Sequence, residues 1–187
     1  MRDVYLKKSI ITSLFIALCV VIPLAFHAIP DGGKIFCPMH IPVLICGLML
    51  GWLPGLICGL CGPLLSFLLT GMPVAANLLP MMIEVAVYGA VSGILAKAVR
   101  TPYIYCNLYI SLVAAQIAGR VIGGLSRALI FSFGQYSLKI WATSYFVTTI
   151  PGLIAQLALI PSIVFALYKA KAIPKELLNL PSLKNEA

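Results

Sequence analysis

The chain has 187 residues, of which 61% are hydrophobic and only 10% charged, and its mean hydropathy is +1.06. About a quarter of the residues in a soluble domain are charged, so this composition excludes a water-exposed globule: it has too few charges to cover the surface, whereas lipid accepts an apolar exterior. In a soluble protein the net charge of +8 would suggest a nucleic-acid partner, but here the basic residues gather at the ends of apolar runs, where membrane topology accounts for them.

A span needs about 20 mostly apolar residues, so the chain has room for about six and little else. The expected fold is an all-α membrane protein, a compact bundle of about six transmembrane helices over residues 1–175. A short cytoplasmic tail over 176–187 is expected to fray. The first apolar run covers residues 9–26. Arg2, Lys7 and Lys8 before it imitate a secretory signal, but no clear small-residue cleavage site follows. A polar stretch, Asp31-Gly32-Gly33-Lys34, leads to a second run over 38–52, broken by Pro42. A third continues to Thr70, and Met39 to Thr70 reads as two short spans joined at Trp52-Leu53-Pro54 rather than one re-entrant unit. Gly71-Met72-Pro73 marks the next turn. The fourth run covers 77–96, the fifth 105–133 and the sixth 143–168.

Six spans with both ends on one side put Arg2, Lys7, Lys8, Lys97, Arg100, Lys169, Lys171, Lys175 and Lys184 on that side, and leave Lys34 and Lys139 on the other. This asymmetry predicts cytoplasmic N and C termini. Gly47-x-x-x-Gly51, Gly55-x-x-x-Gly59 and Gly119-x-x-x-Gly123 have the spacing that lets membrane helices approach closely. Cys58-x-x-Cys61 has no second pair or histidine beside it, so it and Cys19, Cys37, Cys46 and Cys106 read as small packing residues.

Ionisable groups inside a span are costly and mark candidate sites. Three stand out: Glu84 in the fourth run, and Arg120 and Arg127 in the fifth. Gln116, Arg120, Gly123 and Arg127 follow an i, i+4, i+7, i+11 pattern, which puts them on one helical face. Two readings stay open. In one, Glu84, Gln116, Arg120 and Arg127 line a polar pocket for a polar or anionic solute. In the other, Glu84 and Arg120 form an internal ion pair while Arg127 snorkels to the interface. The first outer loop carries His27, Lys34, Phe36, Met39 and His40, and the last carries Gln135, Tyr136, Lys139, Trp141 and Tyr145. Trp141 and Tyr145 are read either as a lid or as interfacial belt residues. His27 and His40 have no carboxylate cluster with them, so no metal site is expected.

Motifs for a serine nucleophile elbow, a zinc protease and a phosphate-binding loop are absent. Neither an enzyme nor a cofactor is therefore expected, and uphill movement of a solute would need an ion gradient or an ATP-hydrolysing partner. Glu84 would be the proton carrier of a gradient-driven transporter. A membrane-embedded lipid enzyme would have only Glu84 with His40 as a catalytic pair.

Length, span number and the missing ATP site resemble the substrate-binding S component of energy-coupling factor (ECF) vitamin transporters. The residues that carry the resemblance are Phe36-Cys37-Pro38-Met39-His40-Ile41-Pro42-Val43-Leu44, Gly47 and the Leu-Gly-Trp-Leu-Pro-Gly-Leu segment at 50–56. Leu-Thr-Gly-Met-Pro at 69–73, followed by Glu84, Tyr88, Gly89 and Gly93, belongs with them. The resemblance covers most of residues 5–170. It implies a multi-pass protein of a bacterial plasma membrane that binds a vitamin-type solute from outside under loop one. It further implies docking on a scaffold subunit that carries two ATPases. A small-x-x-x-small pattern on the first helix serves that docking in the family, and here it is Ser13 and Ala17, with serine where alanine is usual. The implied solute site takes Met39, His40, Asn77, Glu84, Tyr88, Gln116, Arg120, Arg127, Trp141 and Tyr145. Two arginines against one glutamate favour a solute with a carboxylate or several acceptors, such as pantothenate or another B-group vitamin, with a large corrinoid or a modified purine base or nucleoside as the alternatives.

Overall fold

The computed structural model describes residues 2–26, 29–99, 101, 103–131, 137–170, 172–174 and 177–179. His27, Arg100, Gln135, Tyr136, Lys171, Lys175 and Lys184 lie outside the described residues. The described residues are helical throughout, with no strand. The helices are α1 (Arg2–Leu24), α2 (Gly32–Phe36), α3 (His40–Leu50), α4 (Trp52–Thr70), α5 (Ala75–Ala98), α6 (Ile104–Ser126), α7 (Leu138–Ala142) and α8 (Ile150–Lys169). Two π-helical turns follow α6 and α7, at Arg127–Phe131 and Thr143–Val147. Among the described residues six stretches are long and apolar enough to cross a bilayer: Asp3–Leu24, Gly32–Leu50, Trp52–Thr70, Ala75–Ala98, Ile104–Leu129 and Ile150–Lys169. The chain is thus an all-α, multi-pass membrane bundle.

Two boundaries differ from the sequence reading. The joint between the second and third spans is Gly51, with φ +103° and ψ 177°, rather than Trp52-Leu53-Pro54. Side chains rarely tolerate that backbone, and only glycine adopts it freely. Pro54 falls in the first turn of α4, where a missing N–H leaves no intrahelical bond unmade. The sixth span starts at Ile150, not near Thr143, because Pro151 in the first turn of α8 cannot donate back to a preceding turn.

The glycines decide how the helices meet. A side chain at Gly55 would run into the Gly89 carbonyl of α5 and the Gly47 Cα of α3, and one at Gly59 would lie 2.5 Å from the Val85 carbonyl. Backbones of α3, α4 and α5 therefore touch along one seam, with α5 at its centre. Without a hydrophobic drive between helices in lipid, such close approach supplies the dispersion contacts that hold spans together. On its other side α5 meets α6, where the Tyr88 ring fills the space a side chain at Gly119 would need and Glu84 fills that at Gly123. Small residues on one helix thus create room for the bulky polar residues of the next.

Helix α1 buries Thr12, Phe15 and Cys19 and leaves its opposite face bare. Cys19 Sγ lies 3.7 Å from Cys58 Sγ of α4, and Cys46 also adjoins Cys58, so the cysteines that interact with Cys58 come from other helices. After α8 the chain folds back: Ile173, Leu177 and Leu178 are buried in the core. The Asn179 N–H donates to the Met49 carbonyl at 2.7 Å, and its Nδ2 donates to the Gly93 carbonyl at 2.7 Å. Packing against the bundle thus continues at Asn179. Two leucines bring apolar area worth burying, and Asn179 satisfies a carbonyl that the last turn of α3 leaves unpaired.

Candidate functional site

The seam between α5 and α6 gathers the intramembrane polar side chains. Gly119 and Gly123 bring α6 so close to α5 that Glu84 and Tyr88 are enclosed between them. The Tyr88 hydroxyl donates to Glu84 Oε1 at 2.6 Å, and Tyr88 is fully buried. His40, the first residue of α3, stacks on Tyr88 with ring centroids 4.9 Å apart and planes tilted by 59°. Met39 is buried just before it. Tyr145 is buried as well and close enough to Glu84 to share a hydrogen bond with it.

One turn along, Arg120 is only 2% exposed. Its Nη1 donates to Thr149 Oγ1 at 2.7 Å, and that hydroxyl donates on to the Tyr145 carbonyl at 2.7 Å. The guanidinium lies over the Phe146 ring, 5.6 Å from its centroid. Trp141 Nε1 donates to the Arg120 carbonyl at 3.1 Å, and the indole fits against the bare α-carbon of Gly124. The π turn at Thr143–Val147 carries Tyr145 and Phe146 towards this guanidinium. Such turns are often found at functional sites.

A second polar layer lies beside it. Gln116 Nε2 donates to Gln156 Oε1 of α8 at 3.0 Å, and Gln156 Nε2 donates to the Cys37 carbonyl at 3.3 Å. Arg127, half-buried, donates to the Asn77 side-chain carbonyl at the start of α5.

Among the described residues the single ion pair is Asp31 with Lys34, at 2.7 Å and exposed. The structural ion pair of Glu84 with Arg120 is therefore not formed: Tyr88 serves the carboxylate, and Thr149 serves the guanidinium. Among the described residues two buried side-chain polar atoms have no partner, Arg120 Nε and His40 Nδ1. Buried polar atoms without a partner are rare, and each calls for a reason. No group of three His, Cys, Asp or Glu side chains among the described residues is placed to hold a metal ion.

His40, Glu84, Tyr88, Arg120, Trp141 and Tyr145 are linked to this region by the contacts above, Met39 is buried next to His40, and Gln116 belongs to the polar layer beside it. Asn77 and Arg127 form a pair of their own. Ser13 and Ala17 lie apart from it, exposed on α1. Sequence reasoning missed Thr149, Phe146 and Gln156. Gln156 carried a usable signal, since an amide inside an apolar run is a costly polar group that faces a partner. Thr149 carried none, because a threonine hydroxyl in a helix commonly bonds its own backbone.

The family model for the ECF transporter, substrate-specific component, matches residues 7–173. No curated protein and no solved structure matches the chain.

Proposed function

The chain belongs to the substrate-specific components of ECF transporters, and from that premise we propose that it captures a small vitamin-type anion, with a pantothenate-like carboxylate, between α5, α6 and α8. One observation carries this reading: the Arg120 guanidinium is buried and, among the described residues, has no carboxylate within 4.0 Å and no acceptor for Nε. A buried charge is costly unless it is paired and hydrogen-bonded, and a bound carboxylate would pair it. His40 Nδ1 offers a second polar atom to the same solute. Phe146, Trp141 and Tyr88 supply apolar and aromatic wall, as small-molecule sites require.

Under this reading the segment from α2 to Met39 closes the site, and the chain works with a scaffold subunit and two ATPases. The exposed face of α1, with Ser13 and Ala17 among Tyr5, Leu6, Ile10, Leu14 and Val21, suits docking on that scaffold. Lys7, Lys8, Lys97 and Lys169 fall at one end of the spans and Lys34 and Lys139 at the other. This supports termini on the cytoplasmic side of a plasma membrane.

The test is thermal unfolding of the purified chain in detergent against a panel of anionic and uncharged vitamins. A solute that binds only the folded state adds about 2.7 kcal/mol at 100 times its Kd. Stabilisation by carboxylate-bearing members is expected. Stabilisation by uncharged members alone would reject the anion, and a folded chain that answers to none would reject the capture role. Uptake by the chain reconstituted without ATPase partners, driven by an ion gradient, would favour an autonomous transporter.

A further inference from the structure

Resting on the reading that a solute occupies this site, we propose that Gln156 is a positioning residue that latches the loop over the site and ties its closure to the pocket wall. The Gln156 side chain is 1% exposed and uses both ends of its amide. The oxygen accepts from Gln116, which lies one turn before Arg120 on the same face of α6, and the nitrogen donates to the Cys37 carbonyl in the loop. One side chain on α8 thus joins the pocket wall to the loop. An amide that donates and accepts at once passes polarisation and orientation along the chain of bonds.

The loop is built to need a latch. Its short helix α2 is bracketed by two non-glycine residues in the left-handed region, Asp31 at φ 53° and Cys37 at φ 46°. Each conformation costs free energy and persists only where surrounding contacts hold it. Those contacts come from α8 and from the turn that follows α1. Gly152, one turn before Gln156, lets α2 approach so closely that a side chain there would lie 2.5 Å from the Ile35 carbonyl and 2.8 Å from that of Phe36. Phe26 packs on Phe36 with ring centroids 5.4 Å apart. Gly152 is the seat and Gln156 the catch, both on one face of α8. A solute that engages Gln116 steadies the Gln156 amide and, through it, the Cys37 carbonyl. Loss of the solute leaves the two backbone hinges free to relax.

Cys37 itself reports loop opening, because its half-buried thiol sits in the moving part and donates to the Lys34 carbonyl at 3.2 Å. The probe is a charged maleimide, applied without any solute to the purified chain, with the modified cysteine identified by peptide mass. In Gln156→Leu, Cys37 should react roughly fivefold faster, the population change that one neutral hydrogen bond makes. Gln116→Leu, which touches no loop atom, should accelerate Cys37 in the same direction. The buried Cys46 and Cys58 should stay as slow as in the parent, which shows that the fold is intact. An unchanged Cys37 rate in folded Gln156→Leu overturns the latch, and an unchanged rate in Gln116→Leu overturns the link to the pocket. If Gln156→Leu does not fold, Gly152→Ala and Gln116→Leu decide the matter, the first by lifting α2 off its seat. Because no solute is added, a failed latch leaves the capture reading standing, and a failed solute panel leaves the latch measurable.

Discussion

Replacing Arg120 by methionine should weaken solute binding strongly while leaving the empty protein as stable as before, or more so. The residue is buried and its guanidinium has no ion-pair partner among the described residues. The substitution removes the charged hydrogen bond to Thr149, about 1.5–3 kcal/mol, and the contact with Phe146, about 0.5–2 kcal/mol. Against this stands relief of a buried charge, several kcal/mol even after relaxation. Methionine is flexible enough to fill the vacated channel. Thr149 keeps its bond to the Tyr145 carbonyl, and Trp141 keeps the Arg120 backbone carbonyl, so no donor is orphaned. The two sides nearly cancel for the empty chain. Bound solute gains no such relief. It loses one or two charge-assisted bonds at about 1.5–3 kcal/mol each, which is at least about tenfold in Kd. Thermal unfolding with and without the solute measures both quantities on one sample. An Arg120→Met protein that unfolds far earlier when empty, yet binds with unchanged affinity, would falsify the claim that this guanidinium awaits a ligand.

Gly123→Val should abolish solute stabilisation and cost about 1–3 kcal/mol of stability, because its Cβ would sit 2.9 Å from the Glu84 Cβ; the same unfolding assay reads both. Asn179→Ala removes the side-chain bond to the Gly93 carbonyl that helps hold the returning C-terminal segment, and keeps the backbone bond to the Met49 carbonyl. At about 1 kcal/mol for that bond, unfolding should fall by a few degrees, and an unaltered midpoint would mean the side chain contributes nothing. Ala17→Leu, on the exposed face of α1, should leave unfolding and solute binding unchanged while reducing co-purification with a co-expressed scaffold subunit.

How much of this was legible beforehand differs from residue to residue. Gln116, Arg120 and Gly123 were placed on one face from spacing alone, because the 3.6-residue period of a helix is a local property. Glu84 stood out because a carboxylate in an apolar run is costly wherever it goes. Its partner did not: an ion pair with Arg120 was an open reading, yet Tyr88, four residues away on the same helix, holds it. A tyrosine hydroxyl supplies a short bond without adding a second buried charge. The choice of Trp141 and Tyr145 between lid and belt also stayed open, because an aromatic ring suits either place. It is the missing side chain of Gly124 on another helix that lets the Trp141 indole turn inward.

Span number, approximate span length and helical class follow from composition and run length, since lipid obliges every backbone polar group to be satisfied within its own helix. The glycine spacings likewise announce tight packing before any neighbour is known. Which backbone fills each gap is a different matter. That Gly55 meets Gly89, that Gln156 reaches both Gln116 and Cys37, and that Asn179 returns to Met49 and Gly93 depend on residues tens of positions apart. Hydropathy and period are sums over neighbours in the chain, whereas a hydrogen bond or a close backbone approach needs two particular atoms at one distance. Only the folding of the six spans against one another supplies that distance.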